Sequence, residues 1–208
     1  MYCDFYKLKE PPFNVTADPA FLFFSRRHRE AFSHFVYVVE QRKGIIILTG
    51  EIGTGKTTLC RTFLSKAPKT VKTAFIINPY LSGYELIKTI VDDFGIKYSG
   101  KTIMSFVFAF NRFLLQQAEL GNNVVLIIDE AQNLRTTQLE QIRLLSNLET
   151  EKQKLLQIVL VGQPELNQKL QLYKLRQLRQ RIMVNYHILP LDEDEISDYI
   201  YHRLNVAG

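Results

Sequence analysis

Gly50-Glu51-Ile52-Gly53-Thr54-Gly55-Lys56-Thr57-Thr58 follows directly on the apolar run Ile45-Ile46-Ile47-Leu48. The run has the length and composition of a buried strand, and Thr58-Leu59-Cys60-Arg61-Thr62-Phe63-Leu64 beyond the loop reads as a helix. Glycines at 50, 53 and 55 allow the backbone to curl so that several N–H groups point inward, which makes the loop a cradle for phosphate oxygens. The N-terminus of the following helix adds the positive end of its dipole to the same anion. A glycine-rich turn can also do no more than join a strand to a helix, but the strand before and the helix after are the context that the phosphate-loop pattern requires. The stretch from Gly50 to Thr58 therefore implies binding of a nucleoside triphosphate, with Lys56 on the β- and γ-phosphates and the Thr57 hydroxyl on Mg²⁺.

Outward from the loop, short β-rich runs alternate with longer helical stretches. This is the pattern of an α/β fold, a P-loop NTPase with a five-stranded, mostly parallel sheet carrying helices on both faces. The expected strands are Ile45 to Leu48, Thr73 to Ile77, Val124 to Ile128, Ile158 to Val161 and Val184 to Leu189, each apolar enough to be central. Helices are expected over Arg27 to Gln41, Thr57 to Lys66, Gly83 to Phe94, Thr102 to Leu120, Thr137 to Leu148 and Glu195 to Leu204. Pro68 and Gly121 punctuate the second and fourth helices, and Thr137-Gln138-Leu139-Glu140 has the form of a capping box. Phe106, Phe110, Phe113 and Leu114 recur at helical spacing and read as a core stripe, which Val107 and Phe108 widen. Lys152-Gln153-Lys154 marks a surface turn before the fourth strand.

At 208 residues and 46% hydrophobic, the chain can bury one good-sized core and is not disordered. Its apolar runs are too short to span a bilayer, and no secretory signal is expected. Cys3 and Cys60 are too few and too far apart for a disulfide framework or a zinc site, which suits a reducing cytosol. The net charge of +5 is scattered, with Arg26-Arg27-His28-Arg29 and Lys66, Lys69 and Lys72 the only concentrations. Such a balance permits contact with nucleic acid or anionic lipid without demanding either.

A second piece of chemistry sits at the end of Val124-Val125-Leu126-Ile127-Ile128, where the adjacent carboxylates Asp129 and Glu130 terminate an apolar strand. Ligands of parallel sheets bind beyond the carboxyl ends of the strands, where this pair would meet the phosphate loop. Asp129 is then the candidate to organise the Mg²⁺ shell, and Glu130 the candidate base for a water attacking the γ-phosphate. Gln163, in Gly162-Gln163-Pro164-Glu165 at the tip of the fourth strand, is either a γ-phosphate sensor or a turn amide. Arg176, Arg179 and Arg181 precede the last strand and read as a solvated face or as candidate arginine fingers, Arg181 first.

Loop, acidic strand, sensor position and late arginine, in that order, resemble an AAA+ ATPase. More closely, Phe5-Tyr6, Pro12-Phe13-Asn14, Asp18-Pro19, Phe21-Leu22, His28-Arg29-Glu30-Ala31, Ile128-Asp129-Glu130-Ala131-Gln132, Gly162-Gln163-Pro164-Glu165-Leu166 and Gln180-Arg181-Ile182 resemble the ExeA-like ATPases of general secretion and type IV (MSHA-type) pilus biogenesis. The resemblance implies a nucleotide-binding domain over 1–191 and the beginning of a helical lid over 192–208, cut short before the motif that would carry a second sensor. It also implies ATP and Mg²⁺ as ligands, and places Pro12, Phe13 and His28 at the adenine pocket; by residue type alone Pro12-Phe13 is equally a rigid apolar anchor. Further implications are assembly into a homo-oligomeric ring, envelope secretion or pilus components as partners, and a cytoplasmic domain of an inner-membrane-anchored protein. A DNA-binding regulator similar to the transposition ATPases is the alternative.

Overall fold

Five strands pair side by side: Ile45–Gly50 (β1), Val71–Ile76 (β2), Asn123–Ile128 (β3), Gln157–Gly162 (β4) and Ile182–Ile188 (β5). Their order is β2-β3-β4-β1-β5 and every pairing is parallel. The computed structural model describes residues 2–77, 80–150 and 153–208, so Met1 and Lys152 of the expected surface turn lie outside the described residues.

Side chains of a strand alternate between the two faces of the sheet, and each face has its own core. Ile45, Ile47, Leu126, Ile128, Ile158 and Leu160 point to one face. They are covered by Gly83–Asp93, Ile103–Glu119 and Thr136–Leu145. Ile46, Leu48, Val125, Ile127, Val159 and Val161 point to the other, under the helices Arg26–Glu40 and Lys56–Lys66. On that side Phe35 stacks on Phe63 with ring centroids 4.1 Å apart. Numbered along the chain, with Tyr2–Tyr6 as α1, these helices are α2 (Arg26–Glu40), α3 (Lys56–Lys66), α4 (Gly83–Asp93), α5 (Ile103–Glu119) and α6 (Thr136–Leu145). They are followed by α7 (Glu165–Leu170), α8 (Arg176–Arg179) and α9 (Glu193–Ala207).

Three expectations need correction. Only β3, β4 and β1 are interior; β2 and β5 are the sheet edges, and Met183, Asn185 and His187 of β5 are exposed in strict alternation. An edge strand needs one buried face, so its apolar content alone does not separate it from a central one. The capping box expected at Thr137 is displaced: α6 starts at Thr136, and Gln138 Oε1 accepts from the Arg135 backbone N–H at 2.8 Å, while Glu140 turns to Arg143 at 2.8 Å. In α5 the stripe Phe106, Phe110 and Leu114 is core, but Phe108 is 68% exposed and does not widen it.

Helix α9 begins two residues before its expected start, capped by Asp192 with Glu195. It lies against the N-terminal segment: Arg203 donates from Nε to Pro12 O and from Nη2 to Asn14 O, and its guanidinium sits 4.7 Å from the Phe21 ring centroid. Asp194 and Asp192 pair with Arg26 and Arg27 at 3.0 and 2.8 Å. The densest basic run of the sequence is thus largely tied into the fold. Among the described residues no helix is long and apolar enough to cross a membrane.

Candidate nucleotide site

Strand register brings the site together. Thr49 is aligned with Gly162 across β1 and β4, and Ile128 with Leu160 across β3 and β4, so the phosphate loop, Asp129-Glu130 and Gln163 leave the sheet together at the carboxyl ends of its strands. Gly53 and Gly55 have φ of +82° and +77°, in the left-handed region that glycine adopts without penalty. Space excludes a side chain at Gly55 as well, because a Cβ there would lie 2.9 Å from His28 Nε2.

His28 is fixed by hydrogen bonds at both ring nitrogens. Nε2 lies 2.9 Å from Thr54 O, and a carbonyl only accepts, so Nε2 carries the proton; Nδ1 then accepts from Ser25 Oγ at 2.7 Å. Burial holds its pKa below the ordinary histidine value against the weaker opposing pull of the Thr54 carbonyl. His28 is therefore a neutral strut behind the loop. Pro12 and Phe13, the other two residues expected near the adenine, contact α9: Pro12 O takes the Arg203 bond and Phe13 lies 6.4 Å from Tyr199, ring to ring.

Lys56 Nζ folds back to donate to Gly50 O and Glu51 O, both at 2.7 Å. Burial lowers its pKa, opposed by the nearby carboxylates of Glu130, Asp129 and Glu51. Thr57 Oγ1 donates to Asp129 Oδ2 at 2.6 Å, and the Glu130 N–H to Asp129 Oδ1 at 2.9 Å. Asp129 is 2% exposed, and burial, with the neighbouring charge of Glu130, holds its pKa above the ordinary carboxylate value despite these two bonds. A desolvated cation and a desolvated carboxylate thus face the same space, each held at a cost that charge in that space would offset. Among the described residues no group of three or more His, Cys, Asp or Glu could hold a metal unaided. A hydroxyl and one carboxylate are the hard oxygen donors that suit Mg²⁺ shared with substrate phosphates. Thr57 and Asp129 fit that role.

Glu130 has φ +52° and ψ +36°, a left-handed conformation that is costly for a residue with a Cβ and marks a strained turn. Its Oε2 accepts from Gln132 Nε2 at 2.5 Å, and Gln132 Oε1 accepts from the Gln163 N–H at 3.1 Å. Lys169 Nζ in turn donates to the carbonyls of Gln132 and Leu134. Gln132, which the sequence showed only as the end of the motif Ile128-Asp129-Glu130-Ala131-Gln132, and Lys169 join the site with no role expected from sequence. Gln132 could have been found as the polar residue two beyond Glu130 in a short turn; Lys169 had no local signal. Arg181 stands apart, at the amino end of β5, where Ile182 aligns with Ile45 at the start of β1. A six-residue strand separates it from the loop, about 20 Å at 3.3 Å per residue. There it lines a cavity of about 510 Å³ with Arg143, Glu149, Lys154, Gln177 and Gln180. Arg179 bonds Gln171 at 2.8 Å and Arg176 lies over Tyr173, 4.7 Å from its centroid.

Comparison with known proteins agrees with this fold. The family model described as AAA domain matches residues 39–170. General secretion pathway protein A of Aeromonas hydrophila is 44% identical over all of this chain, which spans 38% of that relative's length. Among solved structures, the ORC2 protein of Aeropyrum pernix in its ADPNP-ADP complexes superposes with TM-score 0.69 at 17% identity, over 94% of this chain and 55% of that one. Cdc6p of Pyrobaculum aerophilum gives TM-score 0.68 at 20% identity, over 89% and 52%. At such identity these two speak for the fold alone.

Proposed function

Because the chain belongs to the AAA-domain ATPases, in their ExeA-like branch, we propose that it is the ATP-driven module of an envelope assembly machine, serving secretion or pilus biogenesis from the cytoplasmic side of the inner membrane. ATP lies with its phosphates in the loop from Gly50 to Thr58. Lys56 leaves the carbonyls of Gly50 and Glu51 for the β- and γ-phosphates, exchanging neutral acceptors for charged ones. Thr57 and Asp129 would hold Mg²⁺, which when bound would supply neutralisation of charge on the phosphate oxygens. Glu130 takes a proton from water as the water oxygen attacks the γ-phosphorus in line and the bond to the β-phosphate oxygen breaks, leaving ADP. Gln163 reports the γ-phosphate to β4.

The single observation that carries this reading is the Thr57–Asp129 bond at 2.6 Å, which joins the loop to the acidic strand with Glu130 as the next residue. The position of Arg181, a strand's length from its own loop, supports a role on the nucleotide of a neighbouring copy in a ring. The ion pairs of Arg26 and Arg27 with α9 weigh against the alternative of a DNA-coating regulator. Steady-state ATP turnover by the full-length protein, with and without duplex DNA near physiological salt, separates the two. Turnover indifferent to DNA and rising per subunit with protein concentration is expected; strong stimulation by DNA would transfer the module to the transposition-like class.

A further inference from the structure

We propose that Gln132 is a positioning residue for hydrolysis, coupling the base Glu130 to the tip of β4 and so letting the γ-phosphate sensor strand set where the base carboxylate points. The inference rests on the reading of Glu130 as base.

Gln132 lies in the short 3-10 turn Ala131–Asn133, with its side chain directed back under the acidic pair. Its two amide ends have different partners, and the partners fix its orientation. A carboxylate only accepts and a backbone N–H only donates. Nε2 must therefore face Glu130 Oε2 and Oε1 must face Gln163 N, as found at 2.5 and 3.1 Å. Rotating the amide by half a turn would set oxygen against carboxylate and NH₂ against N–H. The residue is thus a one-way bridge, and neither aspartate, glutamate nor leucine could replace it.

The backbone on both sides is built to hold that bridge. Gly162, the last residue of β4, has no side chain to spare: a Cβ there would stand 2.6 Å from Gln132 Oε1 and 3.2 Å from Gln132 N. The turn carrying Gln132 is pinned from below by Lys169 Nζ on the carbonyls of Gln132 and Leu134. Glu130 itself sits in the left-handed region, a costly backbone conformation that the surrounding turn must hold, and its carboxylate accepts from Gln132 Nε2. A shift of β4 or of Gln163 on meeting the γ-phosphate would pass through one amide to the base. Misplacing a catalytic group by about 1 Å can cost about a hundredfold in rate while leaving ground-state contacts intact.

The test is single-turnover hydrolysis of bound ATP, alongside ATP affinity, in the full-length protein and its Gln132→Ala, Gly162→Ala and Glu130→Gln variants. Gln132→Ala should lower the hydrolysis rate about tenfold to a hundredfold while ATP affinity changes by less than about twofold. Gly162→Ala, which retains the amide but displaces it, should reproduce that loss in the same direction. In a Glu130→Gln background, Gln132→Ala should cost almost nothing further, because both act on one carboxylate. A Gln132→Ala protein that hydrolyses at the wild-type rate, or faster, overturns the proposal. So does a full additional loss in the Glu130→Gln background, which would make Gln132 merely structural. If Glu130→Gln alone hydrolyses normally, it is the reading of the base that has failed, and the two failures are told apart. A readout free of nucleotide is the Gln132 side-chain NH₂ resonance, which should move on Glu130→Gln; an unmoved resonance would deny the contact.

Discussion

Thr57→Val replaces the hydroxyl that joins the phosphate loop to the acidic strand with a methyl group of nearly the same shape. The change leaves the α3 backbone and the surrounding packing in place and removes one hydrogen bond, from Thr57 Oγ1 to Asp129 Oδ2 at 2.6 Å. Asp129 is buried, so its remaining support is the Glu130 N–H, and the deserted oxygen has no access to bulk water. A hydrogen bond to a charged group is worth about 1.5–3 kcal/mol, and a domain of this size shifts its melting temperature by about 2–4 °C per kcal/mol. A loss near 2 kcal/mol thus corresponds to about 4–8 °C in the nucleotide-free protein at neutral pH. The pH dependence identifies the cause. Burial raises the Asp129 pKa and the Thr57 bond partly restores it, so removing the bond raises it further. A group whose folded pKa is raised favours the folded state at low pH and loses that contribution as pH rises through the folded value. The penalty of Thr57→Val is therefore full where Asp129 is ionised and disappears as acid protonates it. Thermal melts of wild type and variant at neutral and mildly acidic pH make the comparison. An unchanged melting temperature, or a deficit equal at both pH values, would refute the claim that a charged, buried Asp129 depends on Thr57.

The same reasoning applies from the other partner. Asp129→Asn removes a charge that burial disfavours, so the nucleotide-free variant should melt at or above the wild-type temperature at neutral pH and lose that advantage in acid; its stabilisation by Mg²⁺ with ATP should vanish, and retained stabilisation would remove Asp129 from the metal site. Arg203→Ala should loosen the N-terminal segment from α9, since Arg203 bonds Pro12 O and Asn14 O and lies over Phe21. If that segment shapes the adenine pocket, titrations should show ATP affinity falling about tenfold or more with tripolyphosphate affinity unchanged, as expected for about 2 kcal/mol of lost cation–π and hydrogen-bond support; an equal fall for both ligands would place the effect in the loop.

Much of the site could be read in advance because its chemistry is local in sequence. A phosphate loop is one contiguous stretch with its strand and helix attached, and Asp129-Glu130 are placed by the strand they end. The parallel sheet followed from apolar runs alternating with helical periodicity, but which strands are edges depends on partners far along the chain, as β5 beside β1 demonstrates. The capping box at Thr137 failed for a different reason. Two overlapping caps compete there, and the backbone chose the one that lets Gln138 Nε2 reach Leu81 O at 2.8 Å on another element. His28 was legible as a neighbour of the nucleotide through resemblance, yet its hold on Thr54 O, which ties α2 to the phosphate loop, is a tertiary fact. Gln132 lies between these cases: its position in the turn is local, while its bond to Gln163 depends on β3 and β4 being neighbours.

In the proposed mechanism, hydrolysis depends on Glu130 acting as the base for ATP held by the phosphate loop. The most direct test is hydrolysis by Glu130→Gln measured together with ATP binding. Glu130→Gln should bind ATP as the wild type does and cleave it at only a small residual rate; binding with normal turnover would remove Glu130 as the base.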